Sequence, residues 1–324
     1  MKKAFVLLLL SLSFPVFSQR VIDEIKHFGS NPGNLRMFIR RPHHPVDTVT
    51  YRAHKPLVVV LHGCNQDAES VSRQSGWNKL ADNFDFYVIY PEQKRLNNAS
   101  VCFNWFSPEN ISRDKGECGS IRQMIDRMRD SFHIDTTQIY IYGMSAGAAM
   151  TSALMANYPW LFKAGAVLAG APYGMATGAV GGVNAMVNPK NKSSKEWGEL
   201  VEKNNPGYKG NYPNLIVAHG KKDLVVNPKN SLQLVKQYAY LLHADTVPAD
   251  TIRSFAKSAD VTKFVYTDKQ KKEKIFYYEI DHLGHALVID PGDDIMHGGE
   301  TGLFSVDKDF FSTYWIAKDF GLIK

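Results

Sequence analysis

Apolar residues in this chain fall into short continuous runs that alternate with stretches of helical spacing. The runs are "PLVVVLHG" at 56–63, "FDFYVIYP" at 84–91, "QIYIY" at 138–142, "KAGAVLAGAPYG" at 163–174, "NLIVAHG" at 214–220 and "EKIFYYEI" at 273–280. They are rich in β-branched and aromatic residues and apolar on consecutive positions, which predicts strands buried on both faces. "NLRMFIRRP" predicts an earlier strand that ends at Pro42. Helices are expected over about 70–83, over "SIRQMIDRMRDSF" at 120–132, over 146–158, near 228–242 and over "KDFFSTYWIAKDF" at 308–320. Strands alternating with helices imply an α/β class, a mostly parallel sheet covered on both faces. Two segments break the rhythm: 174–212, rich in Gly, Asn, Lys and Pro, and 243–273, polar and weakly patterned. Both read as insertions into a single domain spanning 19–324. The first is expected near the strand ends that carry the site, as a partial lid.

The start of the chain stands apart. Lys2 and Lys3 precede the apolar run "AFVLLLLSLSF", and Val16-Phe17-Ser18 resembles a cleavage site. This is the pattern of a secretory signal peptide over 1–18, cleaved after Ser18, and it predicts a secreted or periplasmic protein. The run is short for a membrane span, which needs about 20 apolar residues, and no cysteine near the cleavage site invites a lipid anchor. With 324 residues and 44% hydrophobic content, the chain can bury one large core. The formal charge of +6 is small and scattered. The densest basic run, "KQKKEK" at 269–274, contains a glutamate and reads as a solvated loop, not a nucleic-acid patch.

Chemistry concentrates at Gly143-Met144-Ser145-Ala146-Gly147, a G-x-S-x-G pattern between a predicted strand and a predicted helix. A strand that becomes a helix within two residues makes a tight bend, and its middle residue is pushed outward. A serine hydroxyl is a poor nucleophile at neutral pH and needs a base, which in turn needs an orienting acid. In hydrolases of this topology the acid and then the histidine follow the serine. "LIVAHGKKDLVV" places Asp223 just past a strand end, with Asp281 as the backup acid. "YEIDHLGHAL" offers His282 and His285, and His285, after a glycine in a short turn, is preferred as the base. His219 sits at the end of a buried strand and fits the role less well. Backbone N–H groups of Ala146 and Cys64 are the candidate oxyanion donors.

The loop "CFNWFSP" at 102–108 supplies aromatic candidates for a substrate pocket, Trp105 and Phe103, with Tyr173 as a second wall. Aromatic walls favour a planar acyl group by about 0.5–1.5 kcal/mol. Of the three cysteines, Cys102 and Cys118 close a short loop and are expected to pair, leaving Cys64 free. Their spacings fit no zinc pattern, and no metal is expected.

Taken together, "LHGCNQ", "YPEQ", "CFNWF", "GMSAGAAM", "APYG", "HG-x-x-D-x-x-V" and "GHA" occur in an order that resembles esterases of the polyhydroxybutyrate-depolymerase type. These are related to the feruloyl and acetylxylan esterases of carbohydrate esterase family 1. The resemblance spans nearly all of the chain after the leader. It implies an α/β-hydrolase fold, no cofactor, and a triad at Ser145, Asp223 and His285. After the histidine the chain departs from the family's "GHAW": Leu287 and "VIDPGDDIMHGG" follow, so the wall near the leaving group differs. The expected function is a secreted serine esterase acting on feruloyl or acetyl esters of plant polysaccharide, with no nucleic-acid partner and no stable membrane anchor. The competing activity is depolymerisation of polyhydroxyalkanoate, for which a secreted enzyme is expected to carry an added adsorption domain. A carbohydrate-binding protein on an inactive hydrolase scaffold is the non-enzymatic alternative.

Overall fold

The computed structural model describes residues 21–42 and 54–324; the leader expected over 1–18 lies outside them. Ten strands form one sheet in the order β1-β2-β4-β3-β5-β6-β7-β10-β9-β8. These are β1 (Asp23–Ile25), β2 (Arg36–Arg40), β3 (Lys55–Leu61), β4 (Tyr87–Glu92), β5 (Ile134–Met144), β6 (Ala164–Leu168), β7 (Asn214–Gly220), β8 (Asp250–Ile252), β9 (Val261–Thr267) and β10 (Glu273–Ile280). From β4 across to β10 every pairing is parallel, and the strands flanking this block at either edge pair antiparallel.

Alternation along each strand divides the core in two. On β3, Leu57, Val59 and Leu61 join one cluster, and Val58 and Val60 join the other. The first cluster includes residues of α3 (Gly116–Phe132), α4 (Ala146–Asn157), α6 (Ser194–Asn204) and α7 (Lys229–Leu241). The second includes α1 (Ala68–Gln74), α2 (Trp77–Phe84) and α8 (Ser312–Asp319). Because successive side chains on a strand point to opposite faces, continuous apolar runs require helices on both sides. Every residue of α4 is buried, and its Thr151, Ser152 and Asn157 side chains donate to carbonyls of the helix itself.

The single helix expected over 70–83 is two helices. Asp67 caps α1 by accepting from the Ser70 N–H, and Gly76, at φ 72°, breaks the chain before α2. A Cβ on Gly76 would lie 2.6 Å from the Phe311 ring, so both the conformation and the space call for glycine. The segment 243–273 is also more ordered than its polarity suggests. It supplies β8 and β9, which extend the sheet beyond β10. Lys263 disguises β9 as polar, yet its ammonium is buried, 2.6 Å from Asp319 and over the rings of Phe255, Phe276 and Tyr278. The segment 174–212 forms α5 (Ala179–Val187) and α6. Trp197 of α6 is fully buried and donates its indole N–H to Gln233 of α7.

The chain runs from β3 outward to β4, then returns to the other side of β3 to form β5 and continues away through β6, β7 and β10. Ligand sites in open parallel sheets lie at such reversals, beyond the carboxyl ends of the strands. Here the reversal lies between β3 and β5, which end at Leu61 and Met144. Among the described residues no helix is long and apolar enough to cross a membrane.

Candidate active site

Ser145 is the hinge between β5 and α4. Its backbone sits at φ 56°, ψ −121°, a left-handed φ that costs a non-glycine residue. The flanking glycines make the bend feasible. A Cβ on Gly143 would lie 2.4 Å from the Gly147 carbonyl oxygen, and one on Gly147 would lie 2.5 Å from the carbonyl oxygens of Leu61 and His62. The Ser145 N–H donates to the Leu168 carbonyl at 2.9 Å, which fixes the turn to β6.

Asp223 follows the end of β7 and His285 follows the end of β10, so three separate strand ends converge. His285 Nε2 lies 2.8 Å from Ser145 Oγ, and its Nδ1 lies 2.7 Å from Asp223 Oδ2. Asp223 Oδ1 accepts the backbone N–H groups of Val225 and Val226 at 2.8 and 2.9 Å. Burial alone would raise the Asp223 pKa. Hydrogen bonds from His219 and His285, the field of His285 and the Val226 N–H outweigh it and hold the carboxyl well below the usual range. His282, the other candidate, is exposed and faces Asp260 at 3.5 Å. Asp281, the backup acid, pairs with Lys221 at 2.9 Å. Chemically, the arrangement lets the imidazole take a proton from the serine hydroxyl while a buried anion orients the ring.

Ala146 opens α4, where a backbone N–H has no acceptor within the helix. Cys64 lies on the loop after β3, and the cysteine pairing expected from the sequence is corrected here. Cys64 is bonded to Cys102, and Cys118 is free. Cys118 sits in the first turn of α3, fully buried against Met150 and Asn157, and so cannot reach the loop surface where Cys102 lies. The Asn65 N–H donates to the Ser100 carbonyl at 2.8 Å, which brings the two loops side by side.

Several polar residues that the sequence reading left without a role brace this loop. His62 is fully buried, and desolvation pushes its pKa down to about 4, so the ring is neutral. Its Nδ1 lies 2.7 Å from the Gly63 carbonyl, and its Nε2 accepts the Gln93 N–H at 3.1 Å. Gln66 Oε1 accepts the Gly63 N–H at 2.8 Å. The buried Glu117 accepts from Gln93 Nε2, Asn104 Nδ2 and the Asn104 N–H at 2.6, 2.6 and 2.8 Å. The available signal was position: His62, Gln66 and Gln93 all fall within two residues of a strand end or of the Cys64 turn.

The aromatic candidates fare unevenly. Phe103 is wholly buried with its ring 4.8 Å from His62, so it packs the loop and presents no face to a substrate. Trp105 is 9% exposed and stands edge-on to Phe106. Tyr173 is partly buried, with its backbone N–H and carbonyl both held by the Gln237 side chain. The α5 segment bridges this loop and the aspartate loop: the Gly178 N–H donates to the Phe106 carbonyl, and the Asn227 N–H to the Met186 carbonyl. Among the described residues, Asp290, Asp307 and Asp309 form an acidic group with ligand-like spacing, but it is largely exposed and Asp290 is already engaged by His297.

Comparison with known proteins agrees with this architecture. An acetyl xylan esterase from Aspergillus awamori superposes with a TM-score of 0.72 at 22% identity, covering 82% of this chain and 93% of that one. It shows that the fold is the α/β-hydrolase fold. Poly(3-hydroxyalkanoate) depolymerase C of Paucimonas lemoignei is 37% identical over 308 residues, 93% of this chain and 70% of its own length. Feruloyl esterase B of Thermothelomyces thermophilus is 28% identical over 267 residues, 81% of this chain and 88% of its own. Residues 47–255 match the Esterase PHB depolymerase family model, a stretch that holds Ser145 and Asp223 with His285 beyond it, and the chain belongs to that family.

Proposed function

We propose that the protein is a serine carboxylesterase working through an acyl-enzyme. The observation that carries this reading is the unbroken run Ser145 Oγ–His285 Nε2 at 2.8 Å and His285 Nδ1–Asp223 Oδ2 at 2.7 Å. Ser145 attacks the ester carbonyl as His285 takes its proton. Asp223 steadies the imidazolium, and the N–H groups of Ala146 and Cys64 receive the developing oxyanion. His285 then returns the proton to the leaving alcohol, and water, deprotonated by the same ring, releases the acid. The domain over 19–324 carries the whole reaction, and the leader at 1–18 directs export.

For the substrate we place an aliphatic hydroxyacyl ester, of the polyhydroxyalkanoate kind, first. The 37% identity to a poly(3-hydroxyalkanoate) depolymerase extends over 93% of this chain, and the segment bridging the two site loops exposes valines and no aromatic ring. The second reading, a feruloyl or acetyl ester on polysaccharide, is favoured by the Trp105–Phe106 pair and by the feruloyl esterase relative. A panel of hydroxybutyrate trimer, methyl ferulate and acetylated xylan, run beside Ser145→Ala, tests both levels. Ser145→Ala is expected to lose about four or more orders of magnitude in kcat. Full activity in Ser145→Ala refutes the serine mechanism, and ferulate outranking the trimer promotes the second reading.

A further inference from the structure

Asp223 touches two histidines. His285 Nδ1 and His219 Nε2 both lie within hydrogen-bond distance of the same oxygen, Oδ2, at 2.7 and 3.1 Å. His219 is buried at the end of β7, four residues before Asp223. Its Nε2 also lies 3.0 Å from the Val226 carbonyl oxygen. A nitrogen facing two acceptors must carry the hydrogen, so the ring donates to Asp223 and to the aspartate loop together. On the opposite side, His219 Nδ1 lies 2.7 Å from Ser231 Oγ of α7, which lets the serine hydroxyl donate and fix the tautomer.

Every contact of this group bears on one geometric variable, the rotation of the Asp223 carboxylate. Oδ1 is tied down by two backbone N–H groups of the loop it belongs to. Oδ2 would otherwise have a single partner, His285, which sits on a separate loop and changes charge during the reaction. A second donor anchored in the sheet and braced from α7 removes that freedom. We infer that His219 is a positioning residue for Asp223, holding Oδ2 in line with His285 Nδ1 through a fixed Nε2–H donor whose tautomer Ser231 sets. The inference rests on the triad reading above.

The test separates the donor from the ring. His219→Gln keeps an amide N–H close to the place of Nε2, whereas His219→Leu fills the space without a donor; Ser231→Ala leaves the ring and removes only its brace. With hydroxybutyrate trimer or p-nitrophenyl acetate as substrate, His219→Leu is expected to lower kcat about 10- to 100-fold with KM changed less than about threefold, since the donor acts on the base and not on substrate binding. His219→Gln is expected to recover most of that loss, and Ser231→Ala to lower kcat about 3- to 10-fold at unchanged KM. Wild-type kcat in His219→Leu overturns the inference. So does a glutamine variant as impaired as the leucine variant, because bulk and not the donor would then matter. If His219→Leu does not fold, the glutamine and serine variants decide: near-normal kcat in Gln with a reduced kcat in Ser231→Ala supports it, and any other pair overturns it. Fluorophosphonate labelling of wild type and Ser145→Ala runs alongside. A wild type that neither labels nor hydrolyses overturns the triad reading and this inference together, whereas an active wild type with unaffected His219 variants sinks the inference alone.

Discussion

At the residue scale, the meeting of Ser145, His285 and Asp223 was legible because all three sit at fixed places relative to predicted strand ends. A glycine-flanked serine between a strand and a helix has few structural explanations, and Asp223 and His285 follow apolar runs in the chain order that this topology demands. His219, His62 and Glu117 were not legible, since a buried polar residue shows its role only through partners far away in sequence. Glu117 illustrates the energetic cost. Burial pushes its pKa up to about 7 from 4.5, and hydrogen bonds from the Asn104 N–H, Asn104 Nδ2 and Gln93 only partly offset that. The folded protein therefore holds this proton more tightly than the unfolded chain. The linked stability is fully present below about pH 4.5 and is lost as pH rises toward 7, by about 3 kcal/mol on an order-of-magnitude scale. Denaturant unfolding of wild type and Glu117→Gln at several pH values checks this. The variant is expected to show a shallower decline in stability between pH 4.5 and 7, and parallel curves would mean that Glu117 is not the group responsible.

At the element scale, the central strands and the helices after them followed from apolar runs and periodicity. The departures have local causes. Gly76 splits one helical stretch in two, and Lys263 hides a strand because its charge is matched inside by Asp319. The cysteine pairing failed for a different reason: short sequence separation favoured Cys102 with Cys118, but the first turn of α3 turns Cys118 into the core. The observed Cys64–Cys102 bond joins the loop after β3 to the loop after β4, across a sequence separation of 38. In the chain-entropy model a closure of that length stabilises by about 4 kcal/mol. The bond also fixes the backbone of Cys64, whose N–H is a proposed oxyanion donor. Cys102→Ala is expected to lower stability by about 2–4 kcal/mol and to reduce kcat, and reductant should reproduce both effects in wild type without adding to them in the variant. Cys118→Ala should leave activity intact at a cost of about 1 kcal/mol. A Cys118 variant that loses activity while Cys102→Ala keeps it would contradict this division of roles.

At the scale of the whole molecule, one topological reversal accounts for the position of the site. β3 and β5 part at their carboxyl ends, the Cys64 loop and Ser145 follow those ends, and β7 and β10 deliver Asp223 and His285 from the same end of the sheet. What the sequence did not reveal is the character of the mouth we propose for the site, because the segment bonded to the Phe106 and aspartate loops lacks strong periodicity. The α5 segment, held between the Phe106 loop and the aspartate loop, exposes Val180, Val183 and Val187 at 86%, 61% and 50%, and Leu224 and Val225 follow Asp223 directly and are exposed too. Trp105 presents only its margin and Phe103 none, so stacking on a planar acyl group has little surface to work with, whereas aliphatic contact has several side chains. Contact worth one or two methylenes changes selectivity by about 1–3 kcal/mol. Hydroxybutyrate trimer is therefore expected to exceed methyl ferulate by about tenfold in kcat/KM, on the order of 1.4 kcal/mol. Val183→Ser should erode the trimer's advantage and leave p-nitrophenyl acetate unaffected, while Trp105→Ala should act on ferulate more than on the trimer. If Trp105→Ala removes ferulate activity and Val183→Ser leaves the trimer untouched, the mouth reads aromatic esters and the polysaccharide esters become the natural substrates.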